Sequence, residues 1–207
     1  MQQTTTNQGE QAQELAPKQI EILRSTYRIM GQKGVTQLAL QDVAEHAGVS
    51  KALLLYHFGT KEKLILATLR WVLNGVAERI HAAIAPVETA EAKLEAMIDS
   101  IFIDPERNRE FYLTYCDLLG YAARIDSFSE VNRTFRDTVN RMYAELIELG
   151  IHDGAFHVED VPAAAAVVRA LIDGLFIQWL QERDWQATHA AYRELCKRSI
   201  RAYLQSR

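Results

Sequence analysis

Hydrophobic positions recur every three or four residues along nearly the whole chain, and no stretch alternates with the period of a strand. The pattern predicts an all-α protein of about nine helices. Ile20, Leu23, Tyr27 and Met30 make one apolar stripe of a first helix. That helix starts near Pro17, where a missing N–H costs nothing, and ends at Gly34. A short second helix covers about Leu40 to Ala47, and Gly48 makes a turn. Ser50 then caps a third helix that runs through about Phe58. Gly59 and Thr60 break the pattern again. Thr60 caps a fourth helix, and Glu62 sits against the positive end of its dipole. The fourth helix continues to about Ile84, and Pro86 prevents it from running further. At ~1.5 Å per residue it is roughly 35 Å long, enough to link two domains.

Beyond Thr89 the segments Thr89–Ile103 and Glu106–Ala123 read as helices. Ser127 to Glu130 reads as a capping box that opens a helix to Leu149, closed by Gly150. A loop comes next. Asp160 caps a helix from about Val161 to Glu182, small-residue rich at Ala163–Ala166 and bulky at Leu175, Phe176, Trp179 and Leu180. The last helix runs from about Thr188 to Leu204. Ala164, Val168, Leu171, Leu175 and Leu180 on one of these two helices, and Tyr192, Leu195, Ile200 and Tyr203 on the other, form overlapping apolar stripes. Such helices are buried on two sides, here against their own domain and against a second subunit. The predicted organisation is an arm over residues 1–16, a head over 17–64 and a body over 65–207.

Composition narrows the class. With 207 residues and 48% hydrophobic positions, the chain can fill one sizeable core or two modest ones. No apolar run approaches the ~18 residues of a membrane span. Met1 to Leu15 is polar, rich in Gln and Thr, and lacks the apolar centre of a signal peptide, so it reads as a disordered arm. Cys116 and Cys196 have no metal-ligand spacing and suit a cytoplasmic protein with free thiols. Net charge is −4, which argues against nucleic acid until its distribution is read. Residues 17–64 carry seven Lys or Arg against four acids, whereas 65–207 carry 16 against 21. A small basic head on an acidic body is what a modular DNA binder needs.

Leu40–Leu64 has the form of a helix-turn-helix, which places its second helix in the major groove. The groove-facing surface is Ser50, Lys51, Ala52, Leu53, Leu55 and Tyr56. Ser50 and Lys51 offer backbone amides, a hydroxyl and a cation to phosphate or a guanine edge. Ala52 lets the helix come close. Leu53 and Leu55 can touch thymine methyls but cannot donate hydrogen bonds. Tyr56, His57 and, at the start of the fourth helix, Lys61 suit phosphate contacts. Leu54 and Phe58 belong to the core.

These residues resemble the TetR family of bacterial transcriptional regulators. The resemblance rests on ILRSTYRIMGQKGV in the first helix, DVAEHAGVSKALLLYHFGTKEKL in the head and RALIDGLFIQWL near the end. The C-terminal half looks most similar to the BetI-like subgroup. The resemblance implies a homodimer built through the last two helices and a near-palindromic double-stranded operator. It also implies an all-α effector domain and release from DNA when a small molecule binds. It adds Gln41 as a DNA contact. The chain departs from the family at Ala39, where Thr or Ser usually caps the second helix and touches phosphate. It departs again at Leu53–Leu55, where a glycine-polar-aromatic mix is common.

An effector pocket is expected between the fourth and eighth helices, with Trp71, Tyr112, Tyr115, Phe128 and Trp179 as candidate walls and Cys116, Asp117 and Arg124 among them. Asp117 suits a cation, and Arg124, Arg133 and Arg136 suit an anion. No cofactor or metal is implied. Glu78 and His81 form one E-x-x-H pair, but a di-iron bundle needs two such pairs and two further carboxylates. No G-x-S-x-G, P-loop or H-E-x-x-H is present, so an enzyme is disfavoured. A helical binding protein without DNA affinity is the remaining alternative.

Overall fold

The computed structural model describes residues 15–124 and 126–206; it does not describe the side chains of residues 122, 126–132, 134 and 135. The expected N-terminal arm and the side chain of Phe128 therefore lie outside the described residues. Nine helices are present among them: α1 (Pro17–Lys33), α2 (Leu40–His46), α3 (Lys51–Phe58), α4 (Lys61–Ile84), α5 (Ala90–Ile101), α6 (Pro105–Ala122), α7 (Asp126–His152), α8 (Val161–Trp179) and α9 (Trp185–Gln205).

The caps explain most of these boundaries. The side-chain oxygens of Ser50, Thr60, Thr89, Asp104 and Asp160 each accept a backbone N–H from the first turn of the helix they open. Such a bond satisfies a donor that the helix itself leaves unpaired. Ala39 precedes α2 without a side-chain cap. Gly48 takes φ 60° between α2 and α3, a conformation that a side chain would strain. Around it, Val49 N–H donates to Ala44 O at 2.9 Å, closing the tight turn that sets the two helices of the motif against each other.

In the head, Ile22, Leu23, Ile29 and Met30 of α1 are buried with Val43, Ala44 and Leu54. Tyr27, expected on the same stripe, is only half-buried. The buried face of α1 is broad because the helix packs on α2 and α4 and also on α6 of the body. One core runs without interruption from Ile22 to Leu204, and α4 passes through it. In the body, α7 packs on α8 and α8 on α9. Phe102, Phe176 and Trp179 are fully buried, and Phe102 stacks on Phe176 at 4.1 Å between ring centroids. Each such side chain contributes about 1.5–3 kcal/mol by leaving water.

Four helix ends, on α7, α8 and α9, differ from the pattern reading. Gly150 does not close α7, which continues to His152. A Cβ on Gly150 would lie 1.9 Å from Phe156, so the glycine serves as a seat for that ring. The chain turns two to four residues later, at Gly154 with φ 72°. Residue 127, expected as a cap, lies inside α7, which begins at Asp126. Finally, α8 stops at Trp179 and α9 starts at Trp185, because the Trp179 indole N–H donates to Trp185 O at 2.6 Å and ties the two ends together.

Candidate nucleic-acid interface and effector site

The third helix displays one face and buries the other. Leu54 is fully buried, while Leu53 and Leu55 are each 37% exposed and Tyr56 is 82% exposed. Lys51 and Ala52 are exposed beside them. The Ser50 oxygen accepts the Leu53 N–H at 3.1 Å, which leaves its O–H proton available to a phosphate. His57 is half-buried, edge-on to Tyr56 at 5.4 Å and near Phe58, itself packed on the core. Lys61, at the start of α4, reaches Thr36 O at 3.3 Å. Gln41 is exposed on α2 and donates to Glu45 at 2.8 Å, one turn along its own helix. Lys33 pairs with Asp42 at 2.6 Å and ties α1 to α2 behind this surface.

The body holds a second concentration of polar groups, between α6, α7 and α8. Tyr112 O–H donates to Asp173 at 3.3 Å. Arg169, one turn before Asp173 on α8, lies 3.4 Å from its other oxygen and donates to the Tyr115 hydroxyl at 2.8 Å. Tyr112, Tyr115 and Tyr143 are all buried. Burial holds the Asp173 carboxyl above the ordinary 3.8, although Arg169 and the Tyr112 hydroxyl pull it down. Burial, and then the Asp173 charge, hold the Tyr112 phenol well above its usual range. Cys116 is half-buried nearby, its thiol pushed up by burial and then by Asp173.

Tyr115 belongs to a second feature as well. A narrow cleft of about 10 Å³, room for about one water, lies between α1, α4 and α6. Tyr27 and Met30 line it from the head, and Thr68, Leu69, Phe111 and Tyr115 from the body. Phe111 and Tyr115 stack at 5.6 Å, so the cleft is floored by the tyrosine whose hydroxyl holds Arg169.

The residues expected in the pocket part company here. Tyr112 and Tyr115 meet at the Asp173 cluster, with Cys116 beside it. Asp117 points the other way and accepts the Val35 N–H at 2.6 Å. Arg124 is exposed and donates to Gly120 O on its own helix. Trp179 is core, packed on Phe176, Trp185 and His189. Trp71 is half-buried against the core, one residue before the cleft-lining Val72. Pattern reading passed over Asp173 and Arg169. Their signal was an acid and a base at i and i+4 inside the otherwise apolar RALIDGLF. Glu78 and His81 are exposed on α4, and no group of three His, Cys, Asp or Glu able to hold a metal occurs among the described residues.

Comparison with known proteins gives concordant results. Residues 22–68 match the model for bacterial regulatory proteins of the tetR family. Residues 90–205 match that for the C-terminal domain of BetI-type transcriptional repressors. The chain is 29% identical over 164 residues to the HTH-type transcriptional regulator BetI of Brucella canis, covering 76% of this chain and 77% of that one. It is 27% identical to BetI of Rhizobium meliloti, covering 76% and 75%. Among solved structures, a transcriptional regulator from Saccharomonospora viridis in complex with choline superposes with a TM-score of 0.81 at 23% identity, over 91% of this chain and 98% of that one. A TetR transcription regulator from Haloarcula marismortui superposes at 0.77 and 24% identity, over 92% and 97%. The chain belongs to the TetR family of transcriptional regulators, with a C-terminal half of the BetI type.

Proposed function

We propose that this regulator is a cytoplasmic homodimeric repressor that grips a near-palindromic operator through α3 and lets go when a small organic cation enters its body. The exposed face of α3 carries the reading. Lys51, Ala52, Leu53 and Leu55 face bases, while Ser50, Tyr56, His57 and Lys61 hold the backbone; Gln41 adds a contact from α2. Pairing through α8 and α9 is supported by exposed stripes of small residues. On α8 these are Ala163, Ala166 and Ala170 with Val167 and Ile177, and on α9 Ala187, Ala191 and Ala202. Two copies joined by a twofold axis present two reading helices to two half-sites.

Asp173 supports a cationic effector: it is a half-buried carboxylate beside buried tyrosines, and tyrosine rings attract cations through their faces. The choline carried by the Saccharomonospora neighbour fits the same chemistry. The exposed Arg124, Arg133 and Arg136 offer an anion no enclosed seat. Occupancy changes operator affinity only if the cation binds the two states of the dimer unequally, and the effect is then reciprocal.

The test is selection of operator DNA from a random duplex library, then anisotropy titration at fixed salt with and without choline. A twofold-symmetric site that choline weakens and Lys51→Ala abolishes is expected. Recovery of no sequence, or Lys51→Ala binding within twofold of the parent, overturns the reading head.

A further inference from the structure

We propose that Arg169 is a resident counter-cation: its guanidinium fills the seat that the effector's cationic group takes, and effector affinity is set by how easily Arg169 is displaced. The inference rests on the cation reading of Asp173 and goes further, to what competes with the effector there.

The charge balance at the site carries it. Asp173 is one negative charge and Arg169 one positive charge, 3.4 Å apart on successive turns of α8. The Arg169 side chain is only 16% exposed. Its second anchor, the Tyr115 hydroxyl at 2.8 Å, comes from α6, and Tyr112 holds the remaining carboxylate oxygen. Among the described residues, the Arg169 charge offsets the Asp173 charge.

A second cation entering that half-buried setting would sit beside a like charge and share one carboxylate with it. An entering cation can therefore have the carboxylate only as the guanidinium gives it up. The rest of the site is suited to the exchange. Tyr112, Tyr115 and Tyr143 lie about the carboxylate, and an aromatic ring face receives a quaternary ammonium as readily as a guanidinium. An arginine is long enough to carry its charge to water while its stem stays packed. The Asp173 side chain is itself 32% exposed, so water lies close to the carboxylate that the guanidinium leaves. Tyr115 also lines the narrow cleft between α1, α4 and α6, and its hydroxyl must release Arg169 for the exchange.

This makes Arg169 a specificity-determining residue. It sets a threshold that weakly bound cations fail to pass, and it predicts that removing its charge improves binding. A purely structural ion pair predicts the reverse.

The experiment is calorimetric titration of the full-length dimer with tetramethylammonium chloride, on wild type, Arg169→Gln, Arg169→Lys and Asp173→Asn, with a thermal melt of each. Binding at least tenfold tighter in Arg169→Gln, near wild type in Arg169→Lys and lost in Asp173→Asn is the expected result. Wild-type binding with an equal or weaker, folded Arg169→Gln overturns this inference and leaves the cation reading standing. Absence of binding to both wild type and Arg169→Gln overturns the two together. Should Arg169→Gln fail to fold, wild type still decides by the NMR signal of the Arg169 Nε–H. That signal is expected to lose its protection from solvent exchange at saturating tetramethylammonium, and its persistence overturns the displacement.

Discussion

The Asp117 carboxylate, on α6 of the body, accepts the backbone N–H of Val35 in the head at 2.6 Å, across 82 positions of sequence. It lies against Gly34, where α1 ends and the chain turns toward α2. Two residues earlier on the same helix, Tyr115 touches Arg169. One helix thus contacts the Arg169–Asp173 pair on one side and the turn between α1 and α2 on the other. Asp117→Ala is expected to cost about 1 kcal/mol of stability, below the roughly 1.5–3 kcal/mol of a buried charge-assisted bond, because Asp117 is exposed. It should also loosen the link between effector and operator. Operator titrations at zero and saturating choline measure that link; an unchanged affinity ratio would show that Asp117 plays no part in it.

Tyr56 is exposed enough that removing it should leave stability within ~0.5 kcal/mol of the parent. Operator binding by Tyr56→Ala is expected to fall at least tenfold, with the salt dependence preserved. Lys51→Ala should instead flatten the slope of log affinity against log salt by about one. Anisotropy titrations across a salt series distinguish the two.

His189 is buried between Phe102 and Trp179, and its Nε2–H donates to Asn108 Oδ1 at 2.8 Å. Burial, then the nearby Arg193, hold it below the ordinary 6.5, while Asp104 and Glu106 pull the other way. As pH falls from 6.5 toward the folded value, the unfolded chain takes up the proton first. Stability therefore declines on acidification through that window. His189→Gln, which can keep a donor toward Asn108, is expected to show a smaller loss of Tm between pH 7 and pH 5 than the parent. Identical slopes would count against the assignment.

Gly150→Ala places a methyl group where Phe156 already lies. Mid-helix alanine usually gains about 1 kcal/mol over glycine. Here the sign should reverse, with a net loss of about 2 kcal/mol from overpacking. Urea denaturation reads this as a lower midpoint, and a raised midpoint would mean that the Phe156 ring yields easily.

The contrast between Ser50 and Gly150 explains what could be read from the chain alone. Ser50, Thr60 and Asp160 cap helices through bonds to amides three residues away, so spacing reveals them. Leu54 was legible as core for the same reason: its neighbours point outward on a short helix. The role of Gly150 depends on a ring from beyond the next turn, and that of Asp117 on a backbone amide in another part of the fold. Neither leaves a local trace. Asp117 looked like a pocket residue because aromatics surround it in sequence, yet helical geometry turns it away from Tyr112 and Tyr115. Asp173 is hidden by its setting in an apolar run, although that setting is what places it beside Tyr112 and Arg169.

The separate placement of these groups bears on redesign. Arg169 and Asp173 both sit on α8, which packs on α7 and α9, whereas the strut to the head is on α6. Their charges can be altered without touching Asp117 or the exposed face of α3. A sensor built on this scaffold could thus be retuned to new analytes from one helix, with its output wiring left intact, and Tyr115 is where such retuning would first disturb the signal.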